Sequence, residues 1–173
     1  MFEFISDAAV VITPFYFKAK MSAIALEEHF TAVADVSSIP IILYSVPANT
    51  GIDLAVDVIT RLARHPNIIG IKDSGGDITK IGQIVADTVG DDFQVLAGSA
   101  SFLLPALAIG AVGGICALAN VLPQQVLNRG VQLVVEAPVM RNLKVVLENS
   151  ILTQVRKLGF TCTHVTLPSR LEH

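Results

Sequence analysis

Short apolar runs alternate along this chain with segments of helical periodicity. The runs are followed by glycine, proline, asparagine or other turn-forming residues, as expected of buried strands that end in loops. The five predicted strands are Ala8–Thr13, Pro40–Tyr44, Ile68–Ile71, Gln94–Ala97 and Gly113–Leu118. Because such an alternation folds as βαβ units with right-handed crossovers, it predicts a parallel sheet covered by helices.

The segments between the runs begin at residues that cap helices. Ser22 precedes a segment that carries Leu26, Phe30 and Val33 on one side. The other predicted helices are Leu54–Arg64 after Asp53, Ile78–Val89 after Asp77 and Phe102–Ile109 after Ser101.

Nucleotide-binding sheets are disfavoured, since no Gly-x-Gly-x-x-Gly follows a strand and the sequence contains no P-loop. The remaining common α/β fold is the (β/α)8 TIM barrel, which five strands do not close. We therefore predict an incomplete (β/α)8 barrel, with five of eight strands and a C-terminal helical tail. Residues 1–122 are expected to form the partial barrel, residues 123–159 the helical region and residues 160–173 an irregular tail.

Composition excludes several classes of protein. The 173 residues are 52% hydrophobic with a net charge of −3, and without a basic cluster the chain has no electrostatic footprint for nucleic acid. Cys116 and Cys162 are too few for a disulfide scaffold or a zinc cluster.

The N-terminal residues and one long uncharged stretch bear on targeting and membrane association. The start, Met1–Asp7, resembles neither a signal peptide nor a transit peptide, so we expect a soluble protein of the cytoplasm or the mitochondrion. The uncharged stretch Phe102–Leu122 is long enough to span a bilayer, which leaves a membrane-anchored module as an alternative. Pro105 and a cluster of glycines interrupt that stretch, so we expect no membrane association.

Lys72 is the strongest candidate for chemistry. It closes the apolar run that begins at Ile68 and is followed at once by Asp73-Ser74-Gly75-Gly76. A lysine at the carboxyl end of a buried strand is partly desolvated, which favours the free amine and makes it a nucleophile toward carbonyl carbons. The structural alternative is a lysine whose stem packs while its ammonium reaches water. Tyr44 ends the preceding predicted strand, so a parallel barrel brings both residues to one rim, where a phenol can relay protons.

The motif around these two residues resembles a known family. Tyr44-Ser45-Val46-Pro47, then Thr50-Gly51, precede Gly70-Ile71-Lys72-Asp73-Ser74, and 28 residues separate Tyr44 from Lys72. This pattern resembles the second signature of the dihydrodipicolinate synthase / N-acetylneuraminate lyase family, which consists of pyruvate-handling Schiff-base lyases on (β/α)8 barrels. The resemblance implies no metal or organic cofactor, a small 2-keto acid as substrate, and a homo-oligomer (dimer or tetramer in the family). Ser-Val-Pro-Ala-Asn-Thr-Gly, Lys-Asp-Ser-Gly-Gly-Asp and Leu-Ala-Gly-Ser-Ala look most like 4-hydroxy-2-oxoglutarate aldolase.

The resemblance also assigns roles by position. Lys72 would form the Schiff base, Tyr44 would relay protons, and Tyr16 matches a second tyrosine that reaches across a subunit interface. The substrate-binding positions are Ser74 near the lysine, the backbone of Ile115, whose carbonyl would face the keto acid, and the loop residues Gly98 and Ser99.

Two departures limit the resemblance. Asn49 stands where dihydrodipicolinate synthases carry an arginine that holds the carboxylate of the second substrate, and nothing before Phe15 resembles the carboxylate-binding turn of the family. The five predicted strands of this chain therefore match strands four to eight of the family's barrel. We expect cleavage of 4-hydroxy-2-oxoglutarate, or a related 2-keto acid, to pyruvate and an aldehyde. The alternatives are a synthase-type condensation and a truncated product with no activity of its own.

Overall fold

Strands and helices alternate in the structure, a computed structural model that describes residues 6–124 and 126. Within those residues the strands are β1 (Ala9–Ile12), β2 (Ile41–Ser45), β3 (Ile68–Asp73), β4 (Gln94–Ala97) and β5 (Gly113–Gly114). The α-helices there are α1 (Ala23–Val36), α2 (Pro47–Thr50), α3 (Val56–Leu62), α4 (Ile78–Asp87) and α5 (Leu103–Ala108). Two 3-10 turns cover Lys18–Lys20 and Ala117–Asn120.

The sheet has the order β1-β2-β3-β4-β5, and each neighbouring pair is parallel. Buried residues of α1, α3, α4 and α5 form a single core with alternate strand residues such as Leu43, Ile71 and Val95. In a doubly wound sheet the strand order reverses and helices cover both faces. Sequential order with one covered face is instead the geometry of a barrel wall, so the described chain is part of a (β/α)8 barrel, as predicted.

The face of the sheet turned away from the helices is partly open at β1. Ala9 and Val11 pack against the core, whereas Val10 is 47% and Ile12 is 38% exposed. Because side chains alternate along a strand, this open face carries every second residue of the sheet, and it corresponds to the interior of a closed barrel.

Two helix starts agree with their predicted caps. The Ser22 hydroxyl accepts a hydrogen bond from the Ala25 N–H (3.2 Å), and α1 buries Leu26 and Phe30 as expected. The Asp77 carboxylate accepts hydrogen bonds from the amides of Thr79 (2.9 Å) and Lys80 (3.2 Å) at the start of α4. Side-chain caps of this kind satisfy amides that have no partner within the helix.

Helices α3, α4 and α5 are shorter than predicted by up to two residues at an end, and the segment after β2 and the extent of β5 also differ from the prediction. Helix α3 begins at Val56 rather than Leu54, since the Leu54 amide donates to the Ser45 hydroxyl (3.4 Å) beneath the end of β2. The segment after β2, expected to be a loop, contains the single-turn helix α2. The predicted strand Gly113–Leu118 is wrong beyond Gly114, because β4, its pairing partner, ends at Ala97 opposite Gly114.

The apolar stretch of residues 102–122 is divided among α5, β5 and the second 3-10 turn. Among the described residues, no helix has the length and apolar character needed to cross a membrane. Apart from residues 123, 124 and 126, the predicted helical region 123–159 and the tail 160–173 lie outside the described residues.

Candidate active site

Lys72 and Tyr44 lie side by side at the carboxyl ends of adjacent strands. Each is the penultimate residue of its strand, and the parallel register pairs Tyr44 of β2 with Lys72 of β3. The Lys72 Nζ lies 4.1 Å from the centroid of the Tyr44 ring. An ammonium over an aromatic face is attracted by the ring quadrupole, so this contact fixes where the amine lies. The structure thus brings together the two residues that the sequence predicted at one rim, while their chemical roles remain predictions.

Ser74 lies directly beyond Lys72, and its hydroxyl is buried. Among the described residues, the Ser74 Oγ has no hydrogen-bond partner, although its amide donates to the Ser45 carbonyl (2.8 Å). A buried hydroxyl without a partner is costly, and the cost disappears when a ligand supplies one. The predicted role of Ser74, contact with a substrate near Lys72, stays a prediction, and its unpartnered hydroxyl is compatible with it.

Gly98 packs against the same segment. Its amide donates to the Asp73 carbonyl (2.7 Å), and a Cβ at this position would overlap the Ser74 Oγ. Only glycine allows so close an approach without moving Ser74. Gly98 therefore determines how near the loop after β4 comes to the loop after β3.

Ser99 and Ile115 lie further along the same rim. The Ser99 hydroxyl is 3.0 Å from that of Ser101, and the Ile115 amide donates to the Ala97 carbonyl (2.9 Å). Gly98 and Ser99 line a cavity of about 500 Å³, whose other walls include Leu104, Leu118 and Leu122. The loop after β4 is thus adjacent to open space that a ligand can enter.

Tyr16 and Asn49, two further residues of the predicted site, are both exposed. The Tyr16 side chain is 90% exposed, and its ring packs edge-on against Phe17 at 4.9 Å between centroids. Asn49 is exposed on α2, where its backbone N–H donates to the Val46 carbonyl (3.0 Å). Neither side chain is buried at the rim in this chain.

A buried ionic network beneath the rim was not predicted. Asp73 follows Lys72 in β3 and is completely buried, and its carboxylate pairs with the Lys80 Nζ at 3.0 Å. Lys80 also pairs with Asp53, which accepts a hydrogen bond from the Ser45 hydroxyl (3.2 Å). The signal in the sequence was the position of Asp73, because alternation turns a residue next to Lys72 toward the helices.

A second ionic cluster lies on the outer surface, away from the rim. Arg61 of α3 contacts Glu27 (2.7 Å) and Asp57 (3.0 Å). The hydrogen bond from Arg61 holds the pKa of the Asp57 carboxyl below its ordinary value, and the hydrogen bond to Glu27 raises the pKa of Arg61. At any pH above the unfolded-state pKa of Asp57, its lowered pKa in the folded state stabilises the folded protein. This contribution is lost as the pH falls through the folded-state pKa.

Comparison with known proteins identifies the family. A parallel sheet with the order of a barrel wall and a strand-end lysine beside a tyrosine define this chain as part of a (β/α)8 barrel protein. The model of the dihydrodipicolinate synthetase family matches residues 3–136. The chain belongs to that family.

Its curated relatives include two proteins named 4-hydroxy-tetrahydrodipicolinate synthase. The protein of Methanoculleus marisnigri is 47% identical over 118 residues, which are 68% of this chain and 40% of that protein. The protein of Methanosphaerula palustris is 40% identical over 123 residues, which are 71% of this chain and 41% of that protein. The chain thus spans about two fifths of the length of these relatives. Their names favour the synthase-type alternative over the predicted 4-hydroxy-2-oxoglutarate aldolase.

Solved structures with the same fold include two described as complexes with pyruvate. The chloride-inhibited dihydrodipicolinate synthase from Acinetobacter baumannii has a TM-score of 0.70 and 28% identity, covering 96% of this chain and 62% of that one. YagE, a prophage protein of the dihydrodipicolinic acid synthase family from E. coli K12, has a TM-score of 0.65 and 27% identity, with coverages of 97% and 61%.

Proposed function

We propose that this chain carries the imine-forming residues of a pyruvate-dependent enzyme, in which the Lys72 amine reacts with the keto carbon of a 2-keto acid. The observation that carries the proposal is the Lys72–Tyr44 pair, with the Lys72 Nζ 4.1 Å from the Tyr44 ring centroid at the ends of adjacent parallel strands. Membership of the family and the pyruvate complexes of two similar structures support it.

The covalent and proton-transfer steps of the proposed reaction use the Lys72 amine and the Tyr44 hydroxyl. The neutral amine of Lys72 attacks C2 of the keto acid to give a carbinolamine, which loses water to form an imine. Loss of a proton from C3 then gives an enamine, whose C3 attacks the carbonyl carbon of an aldehyde and forms a carbon–carbon bond. Hydrolysis of the imine releases the product and restores the amine. In these steps the Tyr44 hydroxyl relays protons to and from the carbinolamine, the C3 carbon and the new hydroxyl.

Condensation is the direction that the relatives' names favour, and its second substrate would be an aldehyde that bears a carboxylate. Although Asn49 supplies no charge, a lysine lies against the same turn. The Lys18 side chain rests on Gly51, with its Cε 3.0 Å and its Cδ 3.6 Å from the position of a Cβ on that glycine. An ammonium there can hold a carboxylate as a point charge, which supports the condensation despite Asn49.

Cleavage of a hydroxylated 2-keto acid is the second candidate, and Asn49 is the observation that favours it. Asn49 is exposed on α2 and offers an amide where the family's synthases offer a guanidinium. An amide makes no charge-assisted bidentate contact with a carboxylate, so a second substrate is held less firmly. Cleavage does not require that clamp for a separate aldehyde.

Borohydride trapping tests the imine. The 173-residue chain is incubated with pyruvate and reduced with borohydride, and the adduct is located by peptide mass spectrometry. We expect a stable adduct on Lys72 that disappears in Lys72→Ala, with Lys20 as an internal exposed lysine that stays unmodified. A chain with no adduct on Lys72 contradicts the proposal and supports the truncated product without activity.

A further inference from the structure

We propose that Asp73 and Lys80 are positioning residues that set the place and the reactivity of the Lys72 amine. The reaction of Lys72 with a 2-keto acid rests on the proposed function. The effect of Asp73 and Lys80 on the Lys72 amine does not depend on it. The Asp73–Lys80 pair lies on the helix face of the sheet, directly behind the rim that carries Lys72 and Tyr44. Neither residue contacts the amine from the open face, so each acts on it through the backbone of β3 and through charge.

The carboxylate of Asp73 is fixed on both of its oxygens. Its Oδ1 accepts the Gly75 N–H at 2.8 Å and its Oδ2 accepts a hydrogen bond from the Lys80 Nζ at 3.0 Å, while the residue itself is 0% exposed. A carboxylate without water is tolerated only when it is paired and hydrogen-bonded in this way. The contact with Gly75 also fixes the first turn of the loop that carries Ser74.

Lys80 reaches this carboxylate from the first turn of α4. Its side chain is only 9% exposed, and its Nζ also pairs with Asp53, whose side chain is 55% exposed. The Asp53 carboxylate is in turn held by the Ser45 hydroxyl at 3.2 Å. The network therefore joins the end of β2, the end of β3 and the start of α4, which are the elements that flank the Lys72–Tyr44 pair.

The charges of the network predict in which direction each substitution changes the reactivity of Lys72. Asp73 and Asp53 with Lys80 carry a net charge of −1 behind Lys72. Removing the ammonium of Lys80 leaves the Asp53 and Asp73 carboxylates without their cation, and the added negative charge lowers the reactivity of the Lys72 amine. Replacing Asp73 by asparagine leaves only Lys80 and Asp53, whose charges cancel, and so raises the reactivity of the Lys72 amine. A role in stability alone predicts no such opposite pair of effects.

Competitive amine labelling measures the reactivity of the Lys72 amine without any substrate. Folded protein is treated briefly with acetic anhydride near neutral pH, and the acetylation of Lys72 relative to Lys20 is read by peptide mass spectrometry. We expect Lys80→Met to lower the labelling of Lys72 about three- to tenfold and Asp73→Asn to raise it by a similar factor. Lys80→Arg, which retains the charge, is expected to restore most of the wild-type value.

Arg61→Met is the matched control. Arg61 also bridges two carboxylates, but its side chain is 41% exposed on the outer surface. Its loss is expected to leave the labelling of Lys72 unchanged. Hydrogen exchange at the Gly75 amide accompanies each measurement, because Asp73→Asn keeps an oxygen for that bond and is expected to keep the amide protected.

The outcomes separate the two proposals. Opposite shifts in Lys72 labelling support the positioning role even where pyruvate gives no adduct, in which case only the proposed function fails. Labelling that stays at the wild-type value in folded Lys80→Met and Asp73→Asn overturns the positioning role, whatever happens to the melting temperature. If Lys80→Met does not fold, Asp73→Asn decides alone: a rise with Gly75 still protected supports the inference, and no rise overturns it.

Discussion

Gly98→Ala is expected to destabilise the fold because two loops meet at this glycine with no room for a methyl group. The new Cβ would overlap the Ser74 Oγ and would lie 2.8 Å from the Asp73 carbonyl oxygen. Neither neighbour moves freely. Asp73 belongs to β3 in the middle of the sheet, and the Ser74 amide is held by the Ser45 carbonyl at 2.8 Å.

The expected loss of unfolding free energy is about 2 kcal/mol. Overpacking of one methyl group in a filled site typically costs about 1–3 kcal/mol, and contact with a backbone oxygen places this site in the upper part of that range. Alanine also restricts the unfolded chain, which offsets about 0.4–1 kcal/mol. The net effect remains a clear destabilisation, since the steric cost exceeds the entropic gain.

Urea unfolding followed by circular dichroism measures the change, with Gly82→Ala as the matched control. Gly82 lies inside α4, where a Cβ would be 3.4 Å from the Ile109 Cδ1, an ordinary contact. Alanine is a better helix former than glycine, so we expect Gly82→Ala to stabilise by about 0.5–1 kcal/mol. If Gly98→Ala unfolds at the wild-type urea concentration with an unchanged slope, the close approach of the two loops is wrong.

Three further predictions concern activity. Asn49→Arg, in a version that carries all the strands, should raise kcat/KM for a carboxylate-bearing aldehyde several-fold, because a guanidinium at this exposed position can make a charge-assisted bidentate contact with the carboxylate. A kcat/KM equal to that of the Asn49 version would refute the argument from Asn49. In the version that carries all the strands, Lys18→Gln should raise the KM for the same aldehyde several-fold more than Lys20→Gln does. Equal increases in KM would show that Lys18 does not bind this substrate. The 173-residue chain alone should release almost no pyruvate from 4-hydroxy-2-oxoglutarate, since nothing before Phe15 resembles the family's carboxylate-binding turn and the substrate is therefore poorly oriented. Robust turnover that Lys72→Ala abolishes would show that five strands suffice.

The Lys72–Tyr44 contact could be predicted because it depends only on strand periodicity and parallel register. Both residues close apolar runs of consecutive strands, and parallel neighbours bring their carboxyl ends to one rim. The same reasoning located β4 without error and β1, β2 and β3 to within two residues at each end. The same reasoning made β5 too long, because the length of an edge strand depends on the strand with which it pairs. For β5 that strand is β4, which ends at Ala97.

The partner of Asp73 could not be predicted, because alternation determines the face of a strand residue but not its neighbours across the helix layer. Asp73 had to turn toward the helices and needed a cation there. Lys80, seven residues later, reads as an ordinary surface lysine of an amphipathic helix. Its selection depends on how α4 packs on the sheet, which places the Lys80 Nζ 3.0 Å from the Asp73 Oδ2.

The two faces of β3 explain why a reactive amine and a buried ion pair occur at consecutive residues. On the open face, Lys72 needs a setting in which its amine loses some water but remains accessible, and the Tyr44 ring provides one side of it. On the helix face, Asp73 needs full neutralisation, which Lys80 provides. Because adjacent residues of one strand carry both, we expect a shift of the ion pair to move the backbone of Lys72 as well. The end of β3 therefore presents a buried ion pair to the helices and the proposed nucleophile to the open face.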